Sequence, residues 1–190
     1  MATHTGPLPN VPISKQRSDI AKCRGKVRKA LRNDWEIVYM DECSFSPNRL
    51  GHLRTYARAG QPLRKAATWV SKPYIAIVAA ISKERGYICG RARVGGAFDG
   101  PDILEFLKDL VRHMDGRRRW AIFMDNARIH TTPENKRYLR QNKVFVIPGV
   151  VRRPDFNGIE MFWNYAKREY RSLLFNYLAR GEDWTQEYVV

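Results

Sequence analysis

WAIFMDN, residues 120–126, decides the fold: an unbroken apolar run that stops on Asp125 and Asn126. A short apolar run closed by a polar turn reads as a buried strand. WEIVYMDE, residues 35–42, repeats the pattern, with WEIVYM running into Asp41 and Glu42. In an α/β sheet, ligands gather at the carboxyl ends of parallel strands. If the two strands are neighbours, Asp41 and Asp125 lie side by side at one edge of the sheet.

Working outward, Tyr74 to Ser82 and Tyr87 to Val94 read as two more strands around a Glu84-Arg85-Gly86 turn, which makes them a hairpin. Gly95-Gly96 breaks the second. Asp99 opens a helix with Pro101 near its first turn, and Ile103, Leu104, Phe106, Leu107, Leu110, Val111 and Met114 supply its apolar face. Arg117-Arg118-Arg119 is a loop. Pro133 to Gln141 is a short helix. Val144 to Ile147 is a fifth strand, ended by Pro148-Gly149. After a basic loop, residues 157–175 form a long helix, with Ile159, Phe162, Trp163, Ala166, Tyr170 and Leu173-Leu174 apolar. On the other side, residues 43–72 form an extended excursion rich in turn formers. Residues 15–33 form a basic helix with Ile20, Cys23, Val27 and Leu31 at helical spacing. Residues 1–14 form an arm broken by Pro7, Pro9 and Pro12. Helices separate strands 3, 4 and 5, so strands 1, 4 and 5 suit parallel pairing and the hairpin antiparallel pairing. The fold class is α/β: a mixed five-stranded sheet with helices on both faces.

The chain of 190 residues suits one domain, or one domain plus a short arm. It is 44% hydrophobic, enough for a core, while a mean hydropathy of -0.51 points to a soluble protein. The longest apolar run, Tyr74 to Ile81, is too short to span a bilayer, and the polar N-terminus lacks a signal-peptide core, so no membrane is expected. Cys23, Cys43 and Cys89 are odd in number and far apart, which excludes a disulfide framework and the usual zinc spacings and suits a reducing compartment. The four histidines form no ligand cluster in sequence. Ser44 and Ser46 have no histidine–acid pattern to make a nucleophile.

Charge is the strongest compositional signal. With 34 Lys+Arg against 19 Asp+Glu, the net charge of +15 attracts polyanions, and nucleic acid is the leading partner. Lys22, Arg24 and Arg28 on the basic helix, Arg54 and Arg58 in the excursion, and Arg152 and Arg153 before the last helix are candidate phosphate contacts. A solvated helix face, or a solvated loop, is the equal alternative for the helix and the Arg152-Arg153 pair.

Glu160 sits near the start of the last helix, where the dipole favours an acid, so alone it is unremarkable. Together with Asp41 and Asp125 it makes three hard oxygen ligands, which repel unless a cation neutralises them. Mg²⁺ and Mn²⁺ are the natural candidates, and two such ions suit phosphodiester displacement. The alternative is that the aspartates are ordinary strand-end turn residues.

Four stretches carry a resemblance. DNARIHTTPENKRYL (125–139) resembles the Asp-Asn-Ala-x-x-His segment of mariner-like and related insertion-sequence transposases, and RRPDFNGIEMFWNYAK (152–167) is similar to their Ser-Pro-Asp-Leu-Asn-Pro-Ile-Glu-x-x-Trp segment. VYMDECSF (38–45) resembles the strand ending in Asp-Glu, and RTYARAGQP (54–62) the Arg-x-Trp-x-x-x-Gly stretch after it. The 34 residues between Asp125 and Glu160 match the spacing of the Glu-type members. The resemblance covers roughly residues 35–175. It implies a ribonuclease H-like fold and a DDE catalytic triad of Asp41, Asp125 and Glu160 holding two Mg²⁺ or Mn²⁺ ions. Asn126, His130 and Asn157 are the supporting residues. Of these, Asn126 reads as a turn residue, and His130 as a hydrogen-bonding anchor of its loop or a contact to the scissile phosphate. The implied reaction is metal-dependent cleavage at transposon ends, then attack of the freed 3′-hydroxyl on target DNA.

The implied organisation is a flexible arm plus basic helix over 1–34, a catalytic domain over 35–178 and a C-terminal tail over 179–190. Two departures stand out. Gly158 replaces the proline before Ile-Glu, which loosens a turn beside Glu160. Only 40 residues precede Asp41, too few for the helix-turn-helix pair that reads transposon ends in such transposases. A split, decayed or recruited gene product is therefore expected, with a separate helix-turn-helix subunit or a homodimer partner as candidate companions. The other reading is a recruited, non-catalytic domain serving as a nucleic-acid-binding or structural subunit. The compartment would be the cytoplasm, at the nucleoid, in a bacterium, or the nucleus in a eukaryote.

Overall fold

The computed structural model describes residues 13–46, 74–114, 116, 119–151 and 153–180. Arg54, Arg58 and Arg152, the 54–62 stretch, residues 1–12 of the arm and residues 181–190 of the tail lie outside the described residues.

The central strand is β1 (Glu36–Phe45). It pairs antiparallel with β2 (Ile75–Ser82), which pairs antiparallel with β3 (Gly86–Val94). On its other side β1 pairs parallel with β4 (Trp120–Met124), and β4 with β5 (Phe145–Pro148). The sheet order β3-β2-β1-β4-β5 is the mixed five-stranded arrangement expected from the sequence.

One strand is longer than expected. β1 does not stop at Asp41 but runs on to Phe45. Its ladder with β4 ends at Tyr39↔Phe123, whereas its ladder with β2 continues through Asp41↔Ala79 to Phe45↔Ile75. Cys43 and Phe45 are buried, and that apolar contact keeps the strand extended past the acids. Asp41 therefore sits where β1 has outrun β4, paired on one side and open on the other.

Alternation along the strands sorts the core into two faces. Val38, Met40, Ile122 and Met124 meet helix α2 (Gly100–His113) and Leu139 of α3 (Pro133–Gln141). Asp99 caps α2 reciprocally: its carboxylate accepts from the Asp102 N–H at 3.0 Å, and Asp102 accepts from the Asp99 N–H at 2.9 Å. Ile103, Phe106, Leu107 and Leu110, at helical spacing, are fully buried; each such side chain contributes roughly 1.5–3 kcal/mol of transfer free energy, offset by chain entropy.

The opposite face carries Ile37, Tyr39, Cys43 and Phe45. Helix α1 (Ile13–Arg32) covers the β4–β5 side through Cys23 and Ala30, and α4 (Ile159–Ala179) covers the β1–β2 side through Ile159, Trp163, Tyr170 and Leu174. The apolar stripe of α1 ends at Ala30, because Leu31 is 63% exposed. Lys26 Nζ donates to the Val146 carbonyl at 2.8 Å, blunting the β5 edge. Among the described residues, no helix is long and apolar enough to cross a membrane.

Candidate active site

Beyond the last β1–β4 pair, Tyr39↔Phe123, two further residues lead to Asp41 within β1 and to Asp125 just past the end of β4. In a parallel ladder such positions are neighbours and share a face. A short 3-10 turn, Pro154–Phe156, then delivers Asn157 and the start of α4 to the same place. Gly158 lies against the Tyr39 ring, where an added Cβ would come within 3.2 Å. The glycine that the sequence suggested would loosen this turn instead allows the start of α4 to pack tightly on β1.

Asp41, Asp125, Asn126, Arg153, Asn157 and Glu160 line one open cleft of about 320 Å³, together with Phe123 and Val150. Asp41 is half-buried. Its Oδ1 accepts from the Glu42 backbone N–H at 2.8 Å, and its Oδ2 from Asn157 Nδ2 at 3.2 Å. Asp125 is 57% exposed. Its Oδ1 accepts from the Ala127 N–H at 2.9 Å and meets His130 Nδ1 at 2.7 Å.

Electrostatics follow from this crowding. Burial pushes the Asp41 carboxyl up to about 7; the Glu42 N–H opposes the rise, and the charges of Glu42, Asp125 and Glu160 add to it. Asp125 goes the other way, held below the usual carboxylate range first by the His130 hydrogen bond and then, against burial, by the Ala127 N–H. Burial alone would lower His130, but hydrogen bonds and charge from Asp125 and Glu42 outweigh it and push the imidazole up to about 10.

Three carboxylates around one cleft, one of them disfavoured in its charged form, suit a hard cation. Among the described residues, no three His, Cys, Asp or Glu side chains converge closely enough to enclose an ion as they stand. The aspartates are engaged by hydrogen-bond donors, Asp41 by the Glu42 N–H and Asn157, and Asp125 by the Ala127 N–H and His130. The donor set fits a divalent ion, since all three acids line the cleft and the buried Oδ1 of Asn157, on the side chain that holds Asp41, has no hydrogen-bond partner.

The other expected residues divide. Asn126 Nδ2 donates to the Gly149 carbonyl at 3.3 Å, the work of a turn residue. His130 is completely buried, with its ring nitrogens against Asp125 and Glu42. Arg153 pairs with Asp155 at 2.8 and 2.6 Å and lies 4.9 Å over the Phe156 ring, so its charge is partly engaged. Arg24 of α1 lies 5.9 Å from the centre of the same ring, and Lys22, Arg24 and Arg28 are exposed on α1. Glu42 was not singled out from the sequence. Its only signal was its place directly after Asp41, and its partner, His130 Nε2 at 2.6 Å, lies 88 residues away.

A family model described as DDE superfamily endonuclease matches residues 36–178. Solved structures share the fold. The mariner Mos1 paired end complex with Mg has a TM-score of 0.68 at 17% identity, over 100% of this chain and 57% of that one. The Mos1 strand transfer complex gives 0.68 at 17%, over 96% and 59%. The catalytic domain of Mos1 mariner transposase gives 0.62 at 14%, over 97% and 81%. At such identities the likeness is one of fold. The chain spans about half the length of the Mos1 chains in the paired-end complexes. No curated protein matches the sequence.

Proposed function

The chain belongs to the DDE superfamily endonuclease family, and from that premise we propose that it is a transposase catalytic core, which cleaves DNA at transposon ends and joins the freed 3′-hydroxyl to target DNA. One observation carries the reading: Asp41 and Asp125, both just past the last pair of the parallel β1–β4 ladder, share a cleft with Glu160. These three would hold Mg²⁺ or Mn²⁺, two ions in number, and a Mos1 complex of this fold with Mg supports the choice. Bound there, divalent ions supply charge stabilisation for displacement at phosphorus.

The chain's own residues do the rest. Asn157 and the Glu42 N–H hold one Asp41 oxygen each, so that carboxylate is oriented before any ligand arrives. Ala127 does the same for Asp125. Arg153 lines the cleft and shares the Phe156 ring with Arg24, so the two can offer positive charge to a phosphate backbone. In this reading residues 35–178 are the catalytic domain, 1–34 add DNA contacts through the basic helix, and 179–190 are a tail. Sequence recognition would come from a separate helix-turn-helix subunit, and a second copy is the other candidate companion, at the nucleoid in a bacterium or in the nucleus of a eukaryote. The second reading is a recruited, non-catalytic subunit, for which DNA contact would be the whole function.

Asp125→Asn separates the two. Supplied with DNA ends and an end-reading partner, the catalytic chain nicks DNA with Mg²⁺ or Mn²⁺, and the amide abolishes nicking while DNA binding stays equal or tightens. Unchanged nicking in the variant means that the wrong acid was chosen. A recruited subunit would show no metal-dependent nicking in either form and the same DNA affinity in both.

A further inference from the structure

We propose that Glu42 fixes the orientation of the Asp125 carboxylate through His130, making both of them positioning residues of the candidate site. The inference rests on Asp125 acting as an ion-holding carboxylate. Successive residues of a strand point to opposite faces, so Asp41 lies on the α4 face and Glu42 on the α2–α3 face. His130 joins the two strands there. It stands in the turn after β4, where its N–H donates to the Ala127 carbonyl at 3.1 Å, and its side chain is wholly buried. Its Nε2 is 2.6 Å from Glu42 Oε1 and its Nδ1 is 2.7 Å from Asp125 Oδ1. A buried ring held at both nitrogens cannot tilt without losing both contacts, and in a low-dielectric setting each is costly to lose.

The consequence falls on Asp125. Its Oδ1 takes both the Ala127 N–H and the His130 ring, whereas its Oδ2 has no hydrogen bond among the described residues. One oxygen is tied and the other is left for the cleft. A histidine serving only to fill the core would be satisfied by one acceptor; this one is held by a second carboxylate from the neighbouring strand, whose side chain is 23% exposed. The Glu42 side chain therefore acts on Asp125 without touching it, as outer partners of metal ligands do.

Mn²⁺ binding, followed by electron paramagnetic resonance alongside thermal unfolding, tests the link. Glu42→Ala and His130→Ala should each weaken Mn²⁺ binding about tenfold, and Glu42→Gln, which keeps an acceptor oxygen, should restore it to within about threefold of wild type. The double variant Glu42→Ala/His130→Ala should bind no more weakly than His130→Ala alone, because the Glu42 side chain reaches Asp125 only through the ring. Unaltered Mn²⁺ affinity in a folded Glu42→Ala protein overturns the proposal, as do losses that simply add. If His130→Ala does not fold, the Glu42 series decides. If the wild-type chain binds no Mn²⁺, the reading of the site fails, and the link is judged on stability: the melting-temperature shifts of Glu42→Ala and Asp125→Ala should fall short of adding in the double variant. Full additivity between those two residues would then refute it.

Discussion

Asp41→Asn should make the metal-free protein more stable above neutral pH, although it removes the central acid of the site. The wild-type carboxyl is half-buried, and burial and the neighbouring acids push it from 3.8 up to about 7. Between those values the unfolded chain has already released the proton that the folded chain keeps, so stability falls as pH rises through this window. At 1.36 kcal/mol per unit the full shift corresponds to at most about 4 kcal/mol, and solvent access to the cleft reduces this to roughly 2 kcal/mol. The amide carries no charge and escapes the penalty. It also keeps its hydrogen bonds: the oxygen of the introduced amide can accept from the Glu42 N–H, and a flipped Asn157 presents its partnerless Oδ1 to the new amide N–H. For a chain of this size about 2 kcal/mol corresponds to roughly 4–8 °C in melting temperature. Calorimetry at pH 8 in chelator should show that gain, and at pH 4 the two proteins should melt together. Excess Mg²⁺ should stabilise the wild type and close the gap at pH 8, because a cation favours the ionised carboxylate that the variant lacks. A variant less stable than wild type at pH 8, or a difference independent of pH, would refute the view that crowded carboxylates strain this cleft.

His130 sets a second pH window. Its folded value, about 10, lies above the ordinary 6.5, so its contribution is complete below 6.5 and is lost as pH rises through 10; urea unfolding should show stability declining across that range in wild type and not in His130→Gln. DNA affinity should fall steeply with salt, with a slope of about -0.9 per phosphate neutralised, and Ala at Lys22, Arg24 or Arg28 should each flatten it by about one contact; salt-independent binding would remove DNA as the partner. Gly158→Ala forces a methyl to within 3.2 Å of the Tyr39 ring and should cost about 1–3 kcal/mol in chemical denaturation, with a matching loss of activity as the start of α4 shifts; a neutral result would mean that the ring yields freely.

How legible was this molecule in its sequence? The strands, the hairpin and the start of α2 were, because each is written locally: WAIFM and IAIVAAIS are apolar runs closed by polar turns, and Asp99 with Pro101 marks where α2 opens. The cleft was half legible. Asp41 and Asp125 could be paired on paper because parallel strands carry their acids to the same end, and Glu160 because the resemblance gives its spacing. What escaped depends on partners distant in sequence. The run of β1 past Asp41 is decided by β2, which supplies Ala79 and Ile75 opposite Asp41 and Phe45. The exposure of Leu31 is decided by where α1 meets β5. Glu42 escaped for the same reason and is the most instructive case. Adjacent acids on a strand look like a single charged cluster in sequence, yet the pleat sends them to opposite faces, where Asp41 meets the open cleft and Glu42 meets a buried ring. Two neighbouring letters thus take up unlike work, and only the position of His130 in the turn after β4 reveals which face each one serves.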